Sequence, residues 1–147
     1  MEIREFRKGD FKAYVDLLLL TSGNEYAGMG KRQISRMLEL MDWDWIWVAV
    51  EGKAPVGFIT VRPEGGTVHI IWLDVHPDFE RRGIGSALLE KVIQVGKSYG
   101  LGPMVCEVWA ENAKAISFYD KHGFRRYRWL ENYYKNGLDA WQVVKDI

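Results

Sequence analysis

The chain is poor in several things at once. Of its 147 residues only Cys106 is a cysteine, so no disulfide can form within it and nothing speaks against a reducing compartment. Charge of one sign is missing too. Lys plus Arg and Asp plus Glu each number 20, and a formal net charge of zero argues against a nucleic-acid or polybasic membrane partner. The longest apolar run, Val15 and then Leu17, Leu18, Leu19 and Leu20, is far short of the roughly 20 residues of a membrane span. The opening Met1-Glu2-Ile3-Arg4 is mixed polar, unlike a signal peptide. Histidine is scarce, and His69, His76 and His122 have neither metal-ligand spacing nor a His-Glu-x-x-His helix, so no metal is expected. No repeat, low-complexity tract or linker breaks the chain. These absences leave one expected domain over residues 1–147, cytoplasmic, a monomer or homodimer, long enough to bury about two thirds of its unfolded surface.

What is present alternates between two periods. Residues 3–6 read as a short strand, and Asp10 stands where an N-cap would open a helix over 11–20. Residues 21–30 are a glycine-rich loop, either a mobile connector or the wall of a substrate cleft, with Glu25 inside it. Ile34, Met37, Leu38 and Met41 recur at helical spacing across 31–41. Runs at 45–50 and 56–62 around Glu51-Gly52-Lys53 make a hairpin, in which Trp43, Trp45 and Trp47 share one side, a core or interface face rather than a ligand platform. Glu64-Gly65-Gly66 turns into a strand at 68–75. A helix follows with Ile84, Leu88, Val92, Val95 and Tyr99 on one stripe, ending near Gly100. After it come a strand at 104–109, a helix at 112–122 stopped by a left-handed Gly123, and an antiparallel pair at 124–129 and 140–144. The order predicts an α+β fold with a mixed, mostly antiparallel sheet of about seven strands and about four helices. Helix follows strand at Val75 and at Trp109, the ends where open sheets place ligands.

The stretch Asp78-Phe79-Glu80-Arg81-Arg82-Gly83-Ile84-Gly85-Ser86-Ala87-Leu88-Leu89 joins that strand to its helix through a basic, glycine-bearing turn. Gly83 and Gly85 let the backbone approach a ligand, the helix N-terminus offers free N–H groups and a favourable dipole, and Arg81 and Arg82 add charge-assisted donors. A structural turn and an anion site both account for it. There is no Gly-x-x-x-x-Gly-Lys-Ser/Thr, and Leu88 stands where a Rossmann third glycine would be. With Val75-His76-Pro77 before it, the stretch resembles the acetyl-CoA pyrophosphate loop of the GNAT superfamily of N-acetyltransferases, Gln/Arg-x-x-Gly-x-Gly/Ala, with Glu80 at the first position. Glu80 is expected to turn outward while the arginines supply the charge.

A second resemblance lies in Asn112-Ala113-Lys114-Ala115-Ile116-Ser117-Phe118-Tyr119-Asp120-Lys121-His122-Gly123-Phe124, which fits the family's Asn-x-x-Ala-x-x-Phe-Tyr-x-x-x-Gly-Phe at every fixed position. The resemblance implies the GNAT fold, acetyl-CoA as cosubstrate, and cofactor contacts from Leu73, Val75, Arg81, Arg82, Gly83, Ile84, Gly85, Ser86 and Asn112. It also implies that the Val75 N–H serves the oxyanion and that Tyr119 protonates the leaving thiolate. Cys106-Glu107-Val108-Trp109, and Asn132-Tyr133-Tyr134 with Gly137-Leu138-Asp139-Ala140, are similar to segments of RimI-type protein N-terminal acetyltransferases, with Trp109 and Leu138 departing from them. By that likeness Glu107 is the general base and Tyr133 or Tyr134 lines the α-amine pocket, with Asp74 and Glu25 as rival carboxylates near the substrate.

The chemistry asks for what these positions offer. An α-amine of pKa near 8 must lose a proton before it attacks a thioester, and a carboxylate, directly or through water, is a sufficient base. Cys106 alternates with Glu107 along the strand and is expected to face the core rather than carry an acetyl group. The expected activity is direct acetyl transfer to a protein or peptide N-terminal α-amine. A small-molecule amine acceptor and a CoA-binding sensor without turnover are the alternatives, and acceptor choice is expected to reside in residues 21–30 and 131–139.

Overall fold

The computed structural model describes residues 1–21, 32, 36, 39 and 45–147. The elements along them are β1 (Glu2–Glu5), α1 (Phe11–Thr21), β2 (Ile46–Glu51), β3 (Ala54–Glu64), β4 (Thr67–Val75), α2 (Ile84–Ser98), β5 (Met104–Trp109), α3 (Ala113–Lys121), β6 (Arg125–Leu130) and β7 (Ala140–Lys145). The seven strands form one sheet in the order β1-β2-β3-β4-β5-β7-β6, mixed because β4 and β5 run parallel while β1–β2, β2–β3, β5–β7 and β6–β7 are antiparallel. The α+β expectation holds. The helix expected at 31–41 lies outside the described residues, apart from Arg32, Arg36 and Glu39, as do Glu25 and Trp43.

The chain divides into two compact units, Met1–Thr60 with Trp72–Val92, and Val61–Ile71 with Ile93–Ile147. In the first, Tyr14, Leu17 and Leu18 recur at helical spacing on α1 and, with Val15, pack on Ile46, Val48 and Val50 of β2 and on Phe58 of β3. The Tyr14 ring lies 4.9 Å from that of Phe58, and its buried hydroxyl is satisfied by Thr60 Oγ1 at 2.5 Å. Truncating a filler of such a core, as in Leu18→Ala, costs about 2–5 kcal/mol. Asp10 is not the cap expected of it. Its carboxylate accepts from the Arg7 N–H at 2.8 Å and from both terminal nitrogens of Arg4 at 2.7 and 3.0 Å, closing the chain back on itself before α1 starts. The core face of β2 is Ile46, Val48 and Val50, so Trp47 is on the opposite face, half-buried beneath the Lys91 ammonium 4.8 Å from its ring centroid. Gly57 has a packing reason, since a Cβ there would come within 3.2 Å of the Asp74 carbonyl oxygen, Ile84 and Leu88.

In the second unit β5 alternates cleanly: Met104, Cys106 and Val108 are buried, while Val105, Glu107 and Trp109 are half-buried on the other face. Val68 and Ile70 of β4 and Val143 of β7 join the buried side. Asn112 caps α3 by accepting from the Ala115 N–H at 3.1 Å, and Gly123, at φ +83°, ends it in the left-handed conformation its position predicts. Tyr119 and Phe124 then meet edge to face, 5.0 Å apart.

Candidate active site

The polar face of β5 is where the second unit gathers its chemistry. Parallel pairing sets His69 opposite Val105, antiparallel pairing sets Gln142 opposite Glu107, and side chains of one parity therefore converge. Glu107 has three partners: His69 Nε2 at 2.5 Å and, both donating to it, the Tyr133 hydroxyl at 3.1 Å and Gln142 Nε2 at 3.1 Å. His69 Nδ1 faces a second carboxylate, Glu64, at 3.3 Å. Burial alone would raise the Glu107 carboxyl, but the bonds from His69, Gln142 and Tyr133 outweigh it and hold the group below the usual glutamate range. His69 moves the other way: the bond to Glu107 stabilises the imidazolium more than burial disfavours it, Glu64 adds to this, and the ring becomes more basic than a free histidine. A carboxylate so heavily solicited is a weak base by itself. The pair is a better one, because the imidazole can hold a proton that Glu107 only passes on.

The same face opens into a groove of about 430 Å³ floored by Val105 and Val144, with His69, Glu107 and Gln142 on it and Glu64 and Tyr127 among its walls. Behind β5, Tyr119 is buried on α3, and its hydroxyl oxygen accepts from Cys106 Sγ at 3.5 Å. Cys106 is buried, as its parity requires, and donates to the tyrosine. Tyr134 is placed differently from Tyr133: the tyrosine rings are 5.0 Å apart, and the Tyr134 N–H and carbonyl bond to Leu138 and Gly137 within the 131–139 connection.

In the first unit the basic turn takes a defined shape. Pro77–Phe79 is a single 3-10 turn, capped by His76 Nδ1 accepting from the Asp78 N–H at 3.1 Å. Arg81 and Gly83 both adopt left-handed conformations, φ +61° and +77°, and Ala87 N–H bonds to the Gly83 carbonyl as α2 begins. Arg81, Arg82 and Gly83 are exposed, Arg82 stacks 4.9 Å above the Phe79 ring, and Glu80 is half-buried rather than turned fully outward. Ile84 contributes its side chain to the core and opens α2, where the first N–H groups of a helix have no intrahelical partner. Leu73 and Val75 are half-buried at the end of β4, beyond the β5 ladder, which covers Val68, His69 and Ile70. Asp74 lies with α1, 2.8 Å from Thr21 Oγ1, and desolvation pushes its carboxyl up to about 6.

The turn, Glu107, Tyr119, Asn112 and Tyr133 were singled out by sequence; His69 was not. Its signal was parity: it sits between the apolar Val68 and Ile70, as Glu107 sits between Cys106 and Val108. Among the described residues, no group of three or more His, Cys, Asp or Glu side chains is arranged to hold a metal ion. No helix among them is long and apolar enough to cross a membrane.

Residues 19–124 match the Acetyltransferase (GNAT) family. The chain is similar to N-alpha-acetyltransferase 30 of Schizosaccharomyces pombe, 29% identical over 106 residues, which are 69% of this chain and 71% of that protein. It is 42% identical over 60 residues to the ribosomal protein bS18-alanine N-acetyltransferase of Escherichia coli K12, covering 41% of this chain and 40% of the other. Its fold superposes on the crystal structure of Ard1 from Thermoplasma volcanium with a TM-score of 0.86 and 28% identity, over 99% of this chain and 97% of that one.

Proposed function

The chain belongs to the acetyltransferase (GNAT) family and is an N-acetyltransferase, and on that premise we propose that its acceptor is the N-terminal α-amine of a protein or peptide. Acetyl-CoA fits the basic turn of the first unit: Gly83 is exposed in a left-handed conformation, two arginines precede it, and α2 begins just after, its N-terminal dipole favouring a diphosphate. When bound it supplies the acetyl group as a thioester. The protein's own residues do the rest.

The observation that carries the reading is the convergence of His69 Nε2 and the Tyr133 hydroxyl on Glu107. Glu107 draws the proton from the incoming ammonium, and His69 takes it up as the pair's store. The α-ammonium, of pKa near 8, is matched to an imidazole raised above its ordinary value, which is where a general base is most effective. Tyr133, half exposed beside Glu107, borders the amine's place. Val75 is the proposed oxyanion donor; one such N–H is commonly worth on the order of 3 kcal/mol. Tyr119, buried with its hydroxyl accepting from Cys106, is the proposed acid for the departing thiolate.

The α-amine assignment is supported by the N-alpha- and ribosomal-protein-alanine acetyltransferase names of its relatives and by the Tyr133–Glu107 contact. It is tested by measuring acetylation of peptides with free and blocked N-termini beside a panel of polyamines, amino acids and aminoglycosides. Transfer to free peptide N-termini is expected; transfer confined to the small amines overturns the assignment. Tyr119→Phe should lower kcat at least ~10-fold with the Kd for CoA nearly unchanged, whereas a CoA sensor shows no turnover in the parent chain.

A further inference from the structure

The His69–Glu107 pair is part of a longer line of groups. On the far side of the imidazole, Glu64 Oε2 stands 3.3 Å from Nδ1, while Glu64 Oε1 is 3.4 Å from Arg62. Two carboxylates thus face the two nitrogens of one ring, and neither can donate. We propose that Glu64 is a positioning residue for the acetyl transfer, fixing the His69 ring from its Nδ1 side and sustaining its strength as a base; this rests on the reading that His69 and Glu107 deprotonate the acceptor.

The physical reason lies in proton counting. Neutral imidazole has one N–H, so one of the two carboxylates must then face a lone pair. The imidazolium has two, one for each. Taking the acceptor's proton therefore completes the arrangement: an amine N–H bond breaks, a ring N–H bond forms, and the carboxylate that faced the lone pair gains a donor. Glu64 favours the protonated ring through the same logic by which the carboxylate at Nδ1 serves a catalytic triad. The charged and titratable neighbours do not reverse this. Glu107 on β5 works in the same direction, Tyr133 and Gln142 address Glu107, Arg62 holds the outer oxygen of Glu64, and Arg125 of β6, in the same groove, is paired with Asp146 at 3.4 Å.

Glu64 is also free to be changed without breaking its surroundings. Its side chain is about half exposed, and the turn it begins is held without that side chain: the Thr67 hydroxyl donates to the Glu64 carbonyl at 2.6 Å, and Gly65 and Gly66 carry the positive φ angles. Glu64→Gln keeps the shape and removes the charge, and its amide can donate to Nδ1 and so favour the neutral ring.

The experiment combines ring NMR of the three histidines, with His69 assigned by His69→Gln, and pH–rate profiles of peptide acetylation for the parent, Glu64→Gln and Glu64→Asp. In Glu64→Gln the His69 titration and the acid limb of kcat are expected to move together to lower pH. The plateau rate should fall ~2- to 10-fold with the KM for peptide and acetyl-CoA unchanged, and Glu64→Asp should restore part of the shift. A parent enzyme that acetylates, with the His69 titration and pH profile both unmoved in Glu64→Gln, overturns the role of Glu64. A parent chain that transfers no acetyl group overturns instead the reading beneath it.

Discussion

The Thr21 hydroxyl stands 2.8 Å from Asp74 Oδ1 and 3.0 Å from the Leu17 carbonyl oxygen. A hydroxyl has one proton. Where it goes to Asp74 it favours the ionised carboxylate, but desolvation outweighs that bond and raises the group to about 6. An acid whose folded pKa is raised costs stability once it ionises. The penalty grows as pH rises from the ordinary aspartate range to about 6 and is constant above.

Asp74→Asn should therefore raise stability at pH 8 by on the order of 1–3 kcal/mol, with little gain at pH 4, because the amide oxygen can accept from Thr21 as the carboxyl does. Thermal melts of both chains across pH 4–8 check it. An equal gain at both ends would mean that ionisation is not the cause.

The His69–Glu107 pair has the opposite sign. The raised imidazole contributes stability that is complete below the unfolded histidine value near 6.5 and disappears as pH rises through the folded one. The proposed mechanism needs the neutral ring, so kcat should climb over that same interval while stability declines. His69→Ala should cost roughly 10²-fold in kcat and flatten the acid limb, and a limb surviving in that variant would transfer the titration to another group.

Gly83 and Gly52 provide a paired test of the basic turn. Both have positive φ, +77° and +61°, and a Cβ at either would meet nothing within 4 Å. Alanine at each should cost a similar ~1 kcal/mol of stability, yet calorimetry should show CoA affinity weakened several-fold by Gly83→Ala alone. Equal affinities in the two variants would remove the turn from the binding site.

Much of this fold is legible in the sequence because its elements declare themselves locally. The hairpin at 46–64 follows from an apolar run, a glycine turn and a second run, and α3 is bracketed by a capping Asn112 and a left-handed Gly123. What depends on register is not local. Nothing near His69 in the chain says that β5 pairs with it in parallel, and still less that Gln142 of β7 lies on the far side of Glu107. Asp10 illustrates a second limit. Its residue type suits a cap, but a guanidinium six residues back offers two charge-assisted bonds in place of one neutral N–H, and the stronger partner wins. Trp47 shows a third: equal parity says which residues share a side, not which side is buried.

The order β5-β7-β6 sets a schedule for synthesis. Residues 125–130 leave the ribosome before residues 140–145, yet β7 lies between β5 and β6 and pairs with both. Until β7 emerges, the backbone of β5 has no neighbour on that flank and β6 has no ladder to join. The nascent chain therefore carries Glu107 on an open edge, without the Gln142 bond that helps hold its charge, and the proposed acid–base pair gains its full set of partners only once β7 has emerged.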